Sequence, residues 1–375
     1  MMRILFLTGV LCCLPVVALH ASSDGFISLF NGKDLSGWTV EGAPGSFEVK
    51  NGSIRTTGAK PYPSMLRSRH QYENFILRFS FKTEKKWHEG GLSLHAPAEG
   101  PASEMGFRIH LRHNPEDFGD HSMGAVYNVA TPLAFPGLPA QKWNRFEVFC
   151  SWPVLRVTLN GTLIHNINMA KDSAWRHRLR VGFIKLEDIC NSAGLYKDIE
   201  IKPLPGKTKW ISLFSAPDSL RIGEEKWTYD AATQTFSTSG DGSMAYTRRE
   251  FKPPYELQVW VKTMVNGNGG VIFNHQKGGG HGVEVQCFNV SGATNPTGSI
   301  YGLAPAKKVV SRDEEWFLIQ LFNEGRHAEV YVNGEKVSET DALKEPYGGE
   351  IGFQHHTPKG RISYRGAKIR PLLKN

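Results

Sequence analysis

Cysteine is scarce in this chain of 375 residues, which has five, two of them within the first 13 positions. The remaining three are Cys150, Cys190 and Cys287. An odd number of widely spaced cysteines does not make a disulfide framework, and no Cys-x-x-Cys spacing indicates a zinc site. We therefore expect at most one disulfide, and we favour buried, inert thiols.

Concentrated charge of one sign is also missing. The formal net charge of +8 comes from 44 basic and 36 acidic residues that are spread along the chain. Lys85-Lys86 and Lys307-Lys308 are isolated pairs and not parts of a basic block. Because nucleic-acid binding needs a basic patch or stripe, this distribution argues against a nucleic-acid partner.

Long apolar runs are absent after the amino terminus. There, residues 4–18 form an apolar run behind a short basic start, and Ala21 offers a small residue for cleavage. The run has 15 residues and is too short to span a bilayer. We predict a secretory signal peptide over residues 1–21, with a retained anchor as the alternative, and no transmembrane segment. The expected location is periplasmic or extracellular.

The sequence repeats itself at the scale of a domain. FISLF at 26 matches WISLF at 210, LRVTLNG at 155 matches AEVYVNG at 328, and VGFIK at 181 matches IGFQH at 351. The matches keep the same order, and the repeated unit is far longer than the ~20–50 residues of solenoid and propeller repeats. We predict a first domain at 22–204 and a second at 210–375, joined by a short linker at 205–209.

The residue pattern of each copy predicts β-strands and no long helix. Short runs such as FILRFSF and RFEVFC are separated by Gly, Asn and Pro turns. Asn160-Gly161 and Asn333-Gly334 lie between such runs, which is the strongest short signal for a β-hairpin. Domains of this length with many antiparallel strands favour a jelly roll over the smaller immunoglobulin sandwich. The predicted fold is all-β, with two tandem jelly-roll β-sandwiches.

Two matched strands present polar residues on one face. Alternation puts Arg108 and His110 away from the core in the first copy, and Glu284 and Gln286 away from it in the second. A solvated face of an antiparallel sheet is the common alternative. The strand at 351 adds a second polar run, so we predict a concave binding site. The polar candidates on that strand are Gln354, His355 and His356.

Glycines and aromatic residues supply further candidates. Gly pairs at 90–91 and 269–270 precede two strands, where glycine lets a ligand approach the backbone. His95 and Asn274 occupy equivalent strand ends, and His275 follows the second of them. Tyr301 offers an aromatic face for a sugar ring, although an aromatic residue in a β-sandwich more often belongs to the core.

Several motifs together resemble those of the 3-keto-disaccharide hydrolase domain family. They are SLFNGKDLSGW at 28 in the first copy, and GVEVQ at 282, TGSIYG at 297 and IGFQHH at 351 in the second. The resemblance covers residues 26–372 as two copies. It implies a concanavalin-like jelly roll for each copy and activity on sugars that carry a ketone at C3.

The two copies keep different parts of the family pattern. The first keeps the opening motif, and the second keeps the Glu-x-Gln and Gln-x-His strands, which makes the second the better candidate for the acid and base groups. We predict Glu284, His355 and His356 as catalytic residues. The predicted substrate-binding residues are Gln286, Gln354, Tyr301, Asn274, His275, Arg108, His110, His95, Asp34 and Trp38. The first copy is either a carbohydrate-binding or scaffold repeat, or has a divergent site around Arg108 and His110.

The implied activity is cleavage of the glycosidic bond in 3-keto-glucosides or 3-keto-disaccharides. A base removes the proton on C2, the enolate expels the C1 substituent, and water then adds. We expect no cofactor; a divalent metal held by a carboxylate and a His is the alternative, but no ligand spacing supports it.

Two other functions compete with this one. An ordinary glycosidase needs two carboxylates that flank the bond, and the acidic run at 313–315 lies in a predicted loop instead. A non-catalytic, lectin-like tandem module is the second alternative, because a jelly-roll fold does not fix function. In every case the expected ligand is an oligosaccharide or a glycoside.

Overall fold

The structure is a computed structural model, and it describes residues 24–372 apart from 86–87, 113–118, 191–192, 207, 224–226, 240–241, 281, 291 and 357–359. The predicted signal peptide at 1–21 lies outside the described residues. In the described part of the chain, no helix is long and apolar enough to cross a membrane.

The first domain is built from thirteen strands, one short α-helix and one 3₁₀ turn. In chain order they are β1 (Ile27–Ser28), β2 (Trp38–Glu41), β3 (Phe47–Lys50), β4 (Ser53–Thr56), β5 (Ser64–Tyr72), β6 (Asn74–Thr83), β7 (Gly91–Ala96), α1 (Ala102–Met105), β8 (Phe107–His110), β9 (Asn144–Ser151), β10 (Val154–Leu159), β11 (Thr162–Asn168), the 3₁₀ turn Ser173–Trp175, β12 (Gly182–Asp188) and β13 (Gly194–Leu204).

The second domain also has thirteen strands among its described residues. They are β14 (Ile211–Ser212), β15 (Leu220–Ile222), β16 (Trp227–Asp230), β17 (Thr235–Thr238), β18 (Ser243–Thr247), β19 (Tyr255–Thr263), β20 (Asn268–His275), β21 (Val283–Phe288), β22 (Phe317–Asn323), β23 (Ala328–Val332), β24 (Glu335–Thr340), β25 (Glu350–His355) and β26 (Ile362–Pro371).

Each domain pairs an eight-stranded sheet with a five-stranded one. The larger sheets run β11-β10-β9-β6-β13-β4-β3, with β1 on β13, and β16-β17-β26-β19-β22-β23-β24, with β14 on β26. The five-stranded sheets run β2-β5-β12-β7-β8 and β15-β18-β25-β20-β21, so their strands correspond one to one. The prediction of an all-β chain with two tandem jelly-roll sandwiches is confirmed.

A separate apolar core fills each sandwich. Phe107 and Ile109 of β8 point into the first core, and Val285 and Cys287 of β21 point into the second, as strand alternation predicts. The outer face of each five-stranded sheet is the surface turned away from this core.

Cys150 and Cys287 are buried, and both are free thiols, as is Cys190. The expected buried thiols are found at Cys150 and Cys287, whereas Cys190 is half-buried.

The predicted hairpins form where the Asn-Gly pairs lie. Asn160 and Gly161 have φ values of 50° and 84°, and Asn333 and Gly334 have 52° and 84°. Two successive residues with positive φ are what a two-residue hairpin loop requires, and Asn-Gly accommodates them at low cost. These turns join β10 to β11 and β23 to β24.

The domains touch through the eight-stranded sheet of the second domain. Met105 and Leu179 pack against Leu318 on the side of that sheet away from its core. The ring of His177 stacks on Tyr331 with 4.8 Å between centroids. This contact lies on the opposite side of the second sandwich from its five-stranded sheet.

Candidate functional site

The outer face of the second domain's five-stranded sheet gathers side chains from all five strands. Strand register aligns Glu284 of β21 with Ile272, Gly352, Tyr246 and Arg221 across β20, β25, β18 and β15. Because side chains alternate along a strand, all five positions face away from the core. The next row along the strands is Gln286, Gly270, Gln354 and Met244.

Two glycines on the central strands form the floor of this face. A Cβ on Gly270 would lie 2.6 Å from Glu284 Cγ, and a Cβ on Gly352 would lie 2.8 Å from Tyr246 Cε1. The glycines therefore let the Glu284 side chain lie over β20 and the Tyr246 ring lie over β25. From the core side, the Tyr364 hydroxyl donates to the carbonyls of Gly270 at 3.0 Å and Gln354 at 2.6 Å.

Glu284 is the unpaired carboxylate of this face among the described residues. Its side chain is half-buried, and burial raises the pKa of the carboxyl group to about 7. A carboxylate with a pKa near neutral pH is suited to accept a proton, because it is deprotonated at working pH and still basic.

Four other predicted residues lie around Glu284. The Gln286 amide donates to Asn268 Oδ1 at 2.5 Å, and Gln354 is half-buried in the same row as Gln286. The Tyr301 backbone N–H donates to the Glu284 carbonyl at 2.9 Å, and its side chain is 56% exposed at the open edge of the sheet. His356 is exposed just beyond β25, and its N–H donates to the Asn268 carbonyl at 2.9 Å. The structure brings these predicted residues together.

His355 lies on the other side of β25. It is fully buried beside the core, and its register partners are Ser243 and Gly269. Alternation along β25 turns it away from the face that carries Gln354. We therefore leave His355 out of the candidate site.

Asn274 and His275 have different positions at the end of β20. Asn274 is buried, and its side-chain oxygen accepts from Asn323 Nδ2 at 3.0 Å and from the Gly348 N–H at 2.9 Å, so it fixes a loop. His275 Nδ1 lies 3.0 Å from Glu350 Oε2, and the His275 ring stacks on Tyr246 at 4.1 Å. Of the two, His275 contacts the candidate site, through Tyr246.

In the first domain the equivalent face is closed by ion pairs. Arg108, at the position of Glu284, lies 2.9 Å from Glu187 Oε2, and Ser93 Oγ donates to the other oxygen of that carboxylate, Oε1. Lys185 Nζ lies 2.7 Å from Glu41 Oε2. The basic groups of this face are Arg67, Lys185 and Arg108, and both carboxylates contact them. No unpaired carboxylate is present on this face in the described part of the first domain.

His110 belongs to the same closed face. It is fully buried, and burial together with the neighbouring Arg108 guanidinium lowers the pKa of its imidazole to about 3. The ring is therefore neutral at physiological pH. Its edge meets the ring of Tyr127, over which Arg108 also stacks at 4.6 Å.

Three first-domain candidates have structural contacts away from the outer face. His95 is buried between Phe75 and Phe107, its Nε2 lies 2.7 Å from the Glu73 carbonyl, and burial lowers its pKa to about 4. Asp34 accepts hydrogen bonds within the opening turn, including one from the Ser36 N–H at 2.8 Å. Trp38 packs in the core, and its indole N–H donates to the Leu29 carbonyl at 2.6 Å.

On the outer face of the second domain's five-stranded sheet, residues on β15, β18 and β25 were not predicted from the sequence. Arg221 Nη2 lies 2.7 Å from Glu350 Oε2, and the Arg221 guanidinium lies 5.2 Å from the Tyr246 ring centroid. The available signal was the alternation in SMAYT, where Ala245 is buried and Tyr246 points outward. Strands this short give only two or three alternations, which is too few to recognise a face.

The acidic run at 313–315 lies in a loop before β22, as predicted. Asp313 accepts hydrogen bonds from Thr263 Oγ1 at 2.6 Å and Asn289 Nδ2 at 2.9 Å, so it stabilises its own loop. Across the described residues, no group of three or more His, Cys, Asp or Glu side chains is placed to hold a metal ion.

The two sandwiches define a tandem jelly-roll protein with a polar sheet face, and comparison with known families identifies its family. The chain belongs to the 3-keto-alpha-glucoside-1,2-lyase-like domain family, whose model matches residues 25–202 and again 209–370. The two matches confirm the resemblance and the two tandem copies. Membership supports a carbohydrate-related function and a carbohydrate-active enzyme.

Solved structures of similar fold cover about half of this chain. A candidate glycosyl hydrolase from Parabacteroides distasonis is 21% identical, with a TM-score of 0.43, over 49% of this chain and 95% of its own. Carbohydrate-binding module CBM66 from Bacillus subtilis is 12% identical, with a TM-score of 0.34, over 44% and 95%. A Bacillus subtilis protein with a galectin-like fold is 12% identical, with a TM-score of 0.35, over 45% and 99%. Comparison with curated proteins gave no match.

Proposed function

We propose that this protein cleaves the glycosidic bond of 3-keto-glucosides or 3-keto-disaccharides by elimination followed by hydration, on the outer face of the second five-stranded sheet. The observation that carries the proposal is the Glu284 carboxylate, which lies over Gly270 with a pKa raised to about 7. Family membership supports a sugar substrate, and the position of Glu284 supports proton abstraction.

The proposed chemistry starts at C2 of the sugar. A ketone at C3 acidifies the C2 hydrogen, so Glu284 takes that proton and the electron pair of the C2–H bond passes to the C3 oxygen. The enolate then re-forms the ketone and a C1–C2 double bond forms. The C1–O bond breaks in the same step, and its electron pair leaves with the aglycone oxygen. Water adds across the double bond and completes net hydrolysis.

The amide groups of the site have a supporting role in this proposal. Gln354 lies in one row with Gln286 beside Glu284, and its amide N–H groups are assigned to stabilise charge on the enolate oxygen or to position hydroxyl groups. The Gln286 amide already donates to Asn268 Oδ1 and to the Gly269 carbonyl, so we assign its Oε1 to accept from a sugar hydroxyl. We assign His356 and Tyr301 to the rim, since both are exposed. Tyr301 offers its ring to the sugar or the leaving group.

For the first domain we propose a non-catalytic role, as a scaffold or a carbohydrate-binding module. Glu187 and Glu41 on its outer face are paired with Arg108 and Lys185, so neither of these two carboxylates is a free base. We also propose that the protein acts after export, in the periplasm or outside the cell, because residues 1–21 have the pattern of a signal peptide.

Release of the aglycone tests the proposed function. Purified protein without residues 1–21 is mixed with a 3-keto-glucoside and, separately, with the unoxidised glucoside, and the free aglycone is measured. We expect release from the keto substrate alone. Equal release from both would indicate an ordinary glycosidase, and binding of either sugar without release would indicate a lectin-like module.

The pH dependence gives a second prediction. As a general base Glu284 must be ionised, so kcat/KM for the keto substrate should rise about tenfold per pH unit at acidic pH and level off above a pH of about 7. A series of initial rates between pH 4 and pH 9 measures this rise of kcat/KM with pH. If the rise had its midpoint near pH 4.5, the ordinary pKa of glutamate, it would point to a different base.

A further inference from the structure

Tyr246 faces Glu284 across the two central strands of the same sheet face. Glu284 and Tyr246 occupy one register row, separated by Ile272 and Gly352. The Glu284 side chain leans inward over Gly270, and the Tyr246 ring leans inward over Gly352. Gly270 and Gly352 are diagonal neighbours, which in an antiparallel pair are about 7–8 Å apart. That gap can be bridged by one sugar residue.

Three side chains hold the Tyr246 ring in place. The His275 ring stacks on it at 4.1 Å with an interplanar angle of 24°. Glu350, with a side chain only 4% exposed, binds His275 at 3.0 Å and Arg221 at 2.7 Å. The Arg221 guanidinium lies 5.2 Å from the centroid of the Tyr246 ring. Glu350 holds the Arg221 guanidinium beside the ring, where its N–H groups stabilise negative charge that develops on the phenol during a reaction.

Accordingly we propose, on the basis of the function proposed above, that Tyr246 is the catalytic residue that protonates the leaving-group oxygen, opposite the base Glu284. As the C1–O bond breaks and the C1–C2 double bond forms, the phenol gives its proton to the departing oxygen. Tyr246 is then a phenolate, and Glu284 carries the proton from C2.

The same pair completes the hydration step with every proton accounted for. The phenolate takes a proton from water, whose oxygen bonds to C1, and the electron pair of the double bond passes to C2. Glu284 returns its proton to C2. Both side chains end in the forms in which they began, so no further acid or base is needed.

The first domain gives an independent comparison. At the positions of Tyr246 and Glu284 it has Arg67 and Arg108, and Lys185 replaces the glycine between them. The two domains thus differ at all three positions: the proposed acid Tyr246, the proposed base Glu284, and Gly352, which makes room for the Tyr246 ring. That pattern fits a pair that functions as a unit in the second domain.

The test uses two leaving groups and one exchange measurement. Wild type, Tyr246→Phe and Glu284→Gln are compared on methyl and 4-nitrophenyl 3-keto-glucosides, and exchange of the C2 hydrogen in D₂O is followed by NMR. Tyr246→Phe should slow methanol release by roughly 10²–10³-fold and 4-nitrophenol release by less than about tenfold, since nitrophenolate leaves without a proton. C2 exchange should persist in Tyr246→Phe and be lost in Glu284→Gln.

Tyr347→Phe is the matched control, because it removes a phenol of the same domain that donates to the Leu343 carbonyl at 3.4 Å, away from the outer face. It should leave both rates unchanged. The assignment of Tyr246 is overturned if Tyr246→Phe slows both leaving groups and exchange equally, or slows neither. Absence of exchange and of release in the wild type would instead refute the proposed function, and the role of Tyr246 with it.

Discussion

Replacing Glu284 by Gln should lower aglycone release from a 3-keto-glucoside by roughly 10²–10⁴-fold, the range expected when a general base is removed. The amide keeps the shape of the side chain over Gly270 but cannot accept the C2 proton. Release is measured at saturating substrate, together with sugar binding by calorimetry. We expect binding to remain within a few-fold of the wild type.

A matched variant in the first domain identifies the active copy. Glu187→Gln makes the same change on the equivalent sheet face, where Glu187 is paired with Arg108. Turnover per folded molecule should remain unchanged in that variant. If Glu284→Gln retained activity and Glu187→Gln lost it, the catalytic site would belong to the first domain.

The stability of Glu284→Gln distinguishes loss of chemistry from loss of fold. Folding raises the pKa of Glu284 from 4.5 to about 7. The free energy of unfolding of the wild type therefore falls as pH rises between these two values, and the full penalty, which is this total loss, remains above pH 7. That penalty is about 3 kcal/mol, at 1.36 kcal/mol per pKa unit. Glu284→Gln does not ionise, so it should be more stable than the wild type at pH 8 by about 2–3 kcal/mol and equally stable near pH 4.

Replacing Arg370 by Met should destabilise the second domain by about 3–5 kcal/mol, as happens when one partner of a buried ion pair is removed. Arg370 Nη2 lies 2.5 Å from Glu256 Oε2, and the Glu256 side chain is 2% exposed. The substitution leaves that carboxylate buried next to Gln258 and Gln320, whose amides donate to its other oxygen at 2.6 and 3.2 Å. Two neutral donors do not replace the lost charge.

Urea unfolding followed by tryptophan fluorescence measures this effect. Arg312→Met is the matched control, because Arg312 and its partner Glu315 are both exposed and such pairs are worth about 0–1 kcal/mol. Removing both partners, in Glu256→Gln with Arg370→Met, should recover part of the loss. Equal unfolding midpoints for Arg370→Met and Arg312→Met would show that the buried Arg370–Glu256 pair contributes no more than a surface pair.

Much of the fold could be predicted from local pattern. Strand alternation correctly placed Phe107 and Val285 in the two cores, and the Asn-Gly pairs at 160–161 and 333–334 correctly gave the hairpins. These signals act over a few residues and depend on backbone geometry alone. The contact between the domains was not predicted, because it joins a loop to a sheet face with few strongly apolar residues.

The candidate site was predicted only in part. Glu284 and Gln286 were found because the repeat aligned them with Arg108 and His110. The motif at 28–38 led to Asp34 and Trp38, yet these residues stabilise a turn and a core contact. Sequence similarity does not separate residues kept for folding from residues kept for binding, and only the arrangement of strands brings Tyr246 into one row with Glu284.

The ion-paired face of the first domain has an evolutionary consequence. Arg108→Glu alone would place a second carboxylate beside Glu187 and remove its cation, which costs several kcal/mol in a buried setting. Recovering a site like that of the second domain would also require changes at Arg67 and Lys185, and replacing both would leave the Glu41 carboxylate without its two cations. The duplication is therefore hard to reverse: the first copy cannot rescue a damaged second copy by a single mutation, and selection acts on the two copies separately.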